Sequence, residues 1–440
     1  MEIFQQILFA AVFLTAVYFF SKRMAKIRKL ILLGQSEKFE DQPSKRWMNV
    51  IKLAFGQKKM FKNIPVAFLH LFVYAGFIII NIEMIEIIVD GFLGTHRFLL
   101  GWIPLYYSYL INIFEFLAIS VIIACIIFLV RRNLFSIKRL QSSDIKGWPA
   151  KDANIILVTE IVLMLLFLKM NATDTFLQLK GIEPYSNHLT GAFLFSSMAH
   201  PLLNYFSIET IIITERVCWW LHIIGVLGFL NYLSRSKHLH IILAFPNAYY
   251  ANLEPQGKMR NMPSVQNEVK YAFQPDLAPA GATDQTHSFG AKDINDLSWK
   301  NLLDAFSCTE CGRCTDACPA NQTGKLLSPR KIMMSTRDRA EEIGKKIEHQ
   351  IDWKSEEKSL LYSYITEEEI RACTTCNACV EACPVSINPL DIIVQLRRYL
   401  IMEKSSSPQE WTSMFGNIEN NFAPWKFSPD QRIDWTKAST

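Results

Sequence analysis

The sequence predicts an all-α protein in two parts: a five-helix transmembrane bundle, then a smaller helical domain built around cysteines. Three observations carry this reading. Residues 1–245 hold long apolar runs, whereas 246–440 read as a soluble segment. The spacing C-x2-C-x2-C-x3-C-P occurs twice, as CTECGRCTDACPA from Cys308 and as CTTCNACVEACPV from Cys373. The stretches before and between these motifs follow a helical pattern with recognisable caps.

The first element is MEIFQQILFAAVFLTAVYFFSKR. It is apolar from near its start, with no basic leading region and no small-residue cleavage site, so it reads as a span rather than a signal peptide. Apolar stretches at roughly 3–20, 65–89, 109–130, 153–170 and 209–233 make five crossings, the first and fourth being short for the hydrocarbon thickness. Lys and Arg crowd into 21–62 and 131–151, while 90–108 carries only Arg97 and 171–208 only Lys180. Positive loops stay in the cytoplasm. The expected topology therefore has the N-terminus outside and everything after residue 234 inside.

Residues 1–245 form the expected membrane domain and 246–297 an irregular linker rich in Pro, Gly, Asn and Gln. Residues 298–403 form the cysteine domain, and 404–440 a loop-rich tail. Within the third part, DINDLSWKNLLDAFS leads helically into the first motif. A second helix starts near Ser328, and Thr366 with Glu369 makes a capping box for a third.

Composition narrows the function. The formal charge is +5 with no basic stripe on the soluble part, which argues against a nucleic-acid partner. Of ten cysteines, eight lie in the two motifs; Cys125 and Cys218 stand alone in apolar runs and read as small core residues. This is not the pattern of a secreted disulfide scaffold, and it fits clusters assembled in a reducing compartment. C-x2-C-x2-C wraps three thiolates around one [4Fe–4S] cube, while the fourth Cys, followed by Pro, reaches the other cube. The expected sets are crossed: Cys308, Cys311, Cys314 and Cys383 for one cluster, and Cys373, Cys376, Cys379 and Cys318 for the other. Zinc, which favours two separated Cys pairs, is the weaker alternative. The long helical gap between the motifs resembles the all-helical two-cluster ferredoxin domain of succinate dehydrogenase iron–sulfur subunits and heterodisulfide reductases.

Histidines inside spans are expensive unless they face a partner. His70 lies about two turns into the second span, and His222 near mid-depth of the fifth. His240 follows 18 residues later, five turns on the same face if one helix continues, roughly 27 Å along its axis. One helix could then offer a ligand to each of two stacked b-type haems. His70 and His240 pair by depth, and His238 is expected on the opposite, surface-facing side. The competing reading is histidine as interhelical hydrogen-bond glue. Glu83, Glu86, Glu115 and Glu160 also lie in spans, either as proton relays for quinone chemistry or, for Glu115, as a helix-dipole partner. Arg216 is expected to pair with a carboxylate across the bundle.

RVCWWLHIIGVLGFLNYLSRSKHLHIILAFP resembles the last span of the gamma subunit of respiratory nitrate reductase, a five-helix dihaem cytochrome b. AFLHLFVYAGF resembles its second span. The resemblance implies haem ligation by His70, His222 and His240; the family's second His, ten residues after the first, is Ile80 here, so one or two haems are expected. From SWKNLLDAFSCTECGRCTDACPA onward the chain resembles the catalytic subunit of membrane-bound heterodisulfide reductase and related quinone-linked iron–sulfur oxidoreductases. That implies an electron-transfer subunit in the cytoplasmic membrane of a prokaryote, exchanging electrons with a quinone such as menaquinone. Longer relatives carry cysteine-rich, CCG-type domains after the second motif. A separate subunit of that type, linked to an electron-transfer flavoprotein, is the implied partner. The alternative is a haem-free membrane polyferredoxin that serves maturation of another redox enzyme.

Overall fold

The computed structural model describes residues 3–39, 41–135, 137–278 and 289–437. The chain is all-α: among the described residues there are no strands, only isolated bridges such as Gln35–Ser298. Five helices are long and apolar enough to cross a membrane: α1 (Ile3–Ile31), α2 (Ile64–Leu93), α3 (Pro104–Asn133), α4 (Trp148–Leu179) and α5 (Ile208–Leu233). The first and fourth are far longer than their apolar runs because polar ends continue the helix beyond the hydrocarbon.

Local chemistry sets the boundaries. Asn63 caps α2 by accepting from the Val66 N–H, Pro65 sits in its first turn, and Gly94 ends it in the left-handed region. Ser207 caps α5 through the Thr210 N–H. The bundle core joins α2–α5 through Ile111, Phe114, Phe167, Ile223 and their neighbours, while Phe9 of α1 packs on Trp219 and Phe92.

The expected run of one helix from His222 to His240 does not form. α5 ends at Leu233, and the hydroxyl of Ser234 bonds back to the Asn231 carbonyl. Ser236 then accepts from the His238 N–H, opening a short 3-10 turn at Lys237–Leu239 before α6 (His240–Tyr249). Serines that bond the local backbone compete with helix continuation. The linker is also less irregular than expected, since α7 (Pro263–Phe273) forms within it; residues 279–288 of it lie outside the described residues.

The soluble core is built from α8 (Trp299–Phe306), α9 (Arg313–Asp316), α10 (Pro329–Glu348), α11 (Glu367–Arg371), α12 (Ala378–Ala382) and α13 (Pro389–Arg398). α10 starts where the sequence predicts, with Ser328 as its cap, and the predicted Thr366–Glu369 capping box opens α11. The tail is not loop throughout: α14 (Gln409–Asn421) forms there.

This soluble core shares one hydrophobic cluster with the end of the bundle, where Ile27, Leu30, Leu233, Leu239 and Leu243 meet Leu302, Phe306 and Ile343. Polar ties reinforce the joint. Arg23 reaches Glu341 at 2.8 Å, and fully buried Arg330 reaches Asp144 at 2.6 Å and the Arg139 carbonyl at 2.8 Å. The cysteine domain is thus seated on one end of the bundle.

Candidate functional site

The two cysteine motifs fold alike. Glu310 and Thr375, each two residues after the first Cys, are left-handed (φ 54° and 57°), as are Gly312 and Asn377 two residues further on (φ 73° and 61°). These turns aim the Glu310 N–H at Cys308 Sγ and the Thr375 N–H at Cys373 Sγ, both at 3.4 Å. Ile387 N–H reaches Cys383 Sγ at 3.3 Å. Short helices α9 and α12 follow the loops and pack against each other. Cys318 and Cys383 then stand in extended backbone ahead of Pro319 and Pro384.

The packing of α9 on α12 brings each motif's fourth cysteine toward the thiols of the other motif. Cys314 has Cys311, Cys308 and Cys383 as its electrostatic neighbours, with Cys379 beyond them; Cys383 in turn feels Cys311. Cys318 acts instead on Cys373 and Cys379, which also feel Cys376. Burial pushes the thiols of Cys308, Cys379 and Cys383 up to about 12, so thiolates form there only against an incoming metal charge. Among the described residues no three His, Cys, Asp or Glu side chains converge as ligands of a single ion. The backbone N–H groups aimed at the sulfurs of Cys308, Cys373 and Cys383 suit a bound cluster.

The histidines gather next to the first motif. His238, expected on the surface, is half-buried, with its ring 5.5 Å from that of His240 and 5.5 Å from Phe229. His70 feels the charges of His240 and Arg313, so α2 brings it to this corner. Burial holds His240 below the usual imidazole range and brings His238 to about 3, keeping both neutral. Lys237, next to His238, donates at 2.6 Å to Glu310, which lies between Cys308 and Cys311. Arg337 holds the same carboxylate at 2.9 Å. Arg313, between Cys311 and Cys314, donates to the Lys59 carbonyl at 3.3 Å, and Lys62 pairs with Glu381 at 2.7 Å.

His222 stands apart from this corner. It is buried, with Nδ1 3.1 Å from the Leu163 carbonyl and its ring 6.3 Å from Phe167. His240 Nδ1 lies 3.0 Å from the Lys237 carbonyl, and His70 Nδ1 3.0 Å from Gln57 Oε1. An oxygen acceptor at Nδ1 makes that nitrogen the donor and leaves the Nε2 lone pair available in all three rings. Sequence reasoning missed Lys237, Glu310 and Arg337, because nothing in the local pattern marks a contact across 73 residues.

Two other expectations change. Glu115 lies well inside α3, not at its start, and accepts from Asn171 Nδ2 and from the N–H groups of Phe195 and Ser196. Arg216 pairs with its neighbour Glu215, which also takes the Tyr185 hydroxyl.

Fold and site together define a membrane protein that carries a 4Fe-4S dicluster domain, a class that moves electrons. The family model for the 4Fe-4S dicluster domain matches residues 304–387. The chain is 29% identical over 98% of its length to a probable iron-sulfur-binding oxidoreductase, FadF, of Bacillus subtilis, covering 60% of that protein. It is 24% identical over 90% of its length to an EtfAB:quinone oxidoreductase of Syntrophomonas wolfei, covering 54% of it. A third of the chain is 32% identical to a probable membrane-anchored ferredoxin of Chromohalobacter salexigens. The chain thus spans little more than half the length of the first two relatives. No solved structure matches it.

Proposed function

We propose that this chain is a membrane electron-transfer subunit that passes electrons between a cytoplasmic redox partner and the quinone pool. Two [4Fe–4S] clusters and one or two b-type haems, when bound, would supply the one-electron steps. The observation that carries this reading is the seating of the Cys308–Cys314 loop on the histidine corner, where Lys237 and Glu310 join the two at 2.6 Å. Cys308, Cys311, Cys314 and Cys383 would hold one cluster, and Cys373, Cys376, Cys379 and Cys318 the other. His70 and His240 would hold the haem nearer the cysteine domain. His222 would offer a ligand deeper in the bundle. The oxygen partners of the three Nδ1 atoms would fix each ring's tautomer and orientation.

The likeness to an EtfAB:quinone oxidoreductase supports quinone, such as menaquinone, as one terminus. A separate cysteine-rich, CCG-type subunit linked to an electron-transfer flavoprotein would stand at the other. The basic segments 21–62 and 131–151 support a cytoplasmic cysteine domain and an N-terminus outside, in the cytoplasmic membrane of a prokaryote.

A haem-free polyferredoxin is the competing reading, on which packing against Phe167 would be the whole role of the buried His222. The deciding measurement is haem and iron per chain on detergent-purified protein, with a dithionite-reduced minus oxidised spectrum. About eight irons with a b-type band support the conduit. The same iron with no haem hands the case to the polyferredoxin.

A further inference from the structure

At the end of the bundle away from the cysteine domain, α2, α3 and α4 enclose Glu83, Glu86, Asp90, Glu115 and Asp174 around a single buried guanidinium, Arg97. Four of these carboxyls have hydrogen-bond donors. Asp90 accepts from Thr95 Oγ1, the Arg97 N–H and the Phe98 N–H. Glu86 accepts from the Leu99 N–H and the Tyr107 hydroxyl, both at 2.9 Å. Asp174 receives Arg97, His96 and Gln178, and Glu115 receives Asn171 and two backbone N–H groups.

Glu83 is the exception. It is 2% exposed, and neither carboxyl oxygen has a hydrogen-bond partner. Its nearest cation, Arg97 Nη1, stands 3.8 Å away, an ion-pair distance beyond hydrogen-bond reach. Arg97 spends its donors on Asp174 at 2.9 Å, Asn171 at 2.8 Å and the Tyr107 hydroxyl at 3.4 Å. A carboxylate buried without donors is costly, and the neutral acid relieves that cost.

We propose that Glu83 is a proton-exchanging carboxylic acid serving quinone chemistry inside the bundle; the quinone part rests on the function proposed above. Reduction of a quinone consumes two electrons and two protons. The clusters and haem of the function proposed above would supply the electrons one at a time. Glu83 would give its proton to one quinone oxygen, be left as carboxylate offset by Arg97, take up a second proton and deliver it to the other oxygen; quinol oxidation would run this in reverse. Facing Glu83 are Glu86 on its own helix, Arg97 on the following loop and Glu115 on α3. Tyr107 on α3 and Asp174 on α4 complete the network through Arg97. Arg97 stays charged and offsets the carboxylate rather than carrying the proton. The cluster lies at the end of the bundle away from the cysteine domain, where His96 is partly exposed, so protons would exchange on that side.

The test is infrared spectroscopy of the full-length protein in lipid nanodiscs. The expected spectrum contains the carbonyl stretch of a protonated carboxylic acid. That band shifts in D2O, changes between oxidised and reduced protein, and is lost in Glu83→Gln with iron content intact. Glu86→Gln should keep it, and Glu83→Asp should move it rather than abolish it, which guards against a Gln variant that fails to fold. Persistence of the band in folded Glu83→Gln overturns the assignment. Reduction of a soluble menaquinone analogue should fall about 100-fold or more in Glu83→Gln, the scale of a lost general acid. A wild-type protein that shows the band but reduces no quinone analogue would instead overturn the quinone reading and leave the protonated Glu83 standing.

Discussion

Two kinds of side chain decide the chemistry. Crossed ligation makes a non-additive prediction. Under the proposed crossing, Cys318→Ser combined with Cys373→Ser should cost only one cluster, leaving about four of eight irons, because both residues would belong to one set. Cys308→Ser with Cys373→Ser should cost both clusters. Iron assay with electron paramagnetic resonance reads the difference, and equal losses in the two double variants would overturn the crossing. For the histidines, His70→Ala or His240→Ala should abolish the same haem band, whereas His222→Ala should leave that band in place. Unchanged haem in His70→Ala would remove it as a ligand.

At the scale of elements, the loop turns and the docking contacts carry the weight. Gly312 is left-handed, and a Cβ there would come within 2.4 Å of Arg330 Nη1 and 3.2 Å of the Arg139 carbonyl. Gly312→Ala should destabilise the first cluster loop by at least ~1–2 kcal/mol from the backbone alone. Its counterpart Asn377→Gly should be close to neutral, and loss of cluster absorbance on heating compares them. Arg330 is fully buried, with Asp144 as its partner on the loop between α3 and α4. Arg330→Ala strands that carboxylate, and removal of one member of a buried pair costs about 3–5 kcal/mol. The variant should melt at markedly lower temperature in detergent; an unchanged melt would mean that the apolar joint alone seats the domain.

For the whole molecule, the positive loops and the domain seat make one orientation prediction. In intact spheroplasts, a membrane-impermeant maleimide should label Leu202→Cys, at the far end of the bundle, but not exposed Lys345→Cys on α10 until the membrane is opened. The reverse pattern would place the cysteine domain outside. Both positions are exposed on the protein surface, so a negative result does not come from burial within the protein.

Much of this was legible before any tertiary structure. Apolar length marked all five spans, because hydrocarbon demands continuous apolar helix. Cysteine spacing marked the dicluster domain, because a cube demands thiolates at fixed intervals. Caps at Ser328 and Thr366 marked helix starts through bonds that span three residues. These features are local, and a linear sequence records local constraints directly. Tertiary structure alone decided the rest. It brought His70 to the corner that His240 occupies and laid Glu310 on Lys237. It also gave Glu86, Asp90, Glu115 and Asp174 their donors and left Glu83 with none. Hydrogen bonds and ion pairs between distant segments depend on how helices pack, and packing is fixed by the whole buried surface rather than by any one stretch of chain.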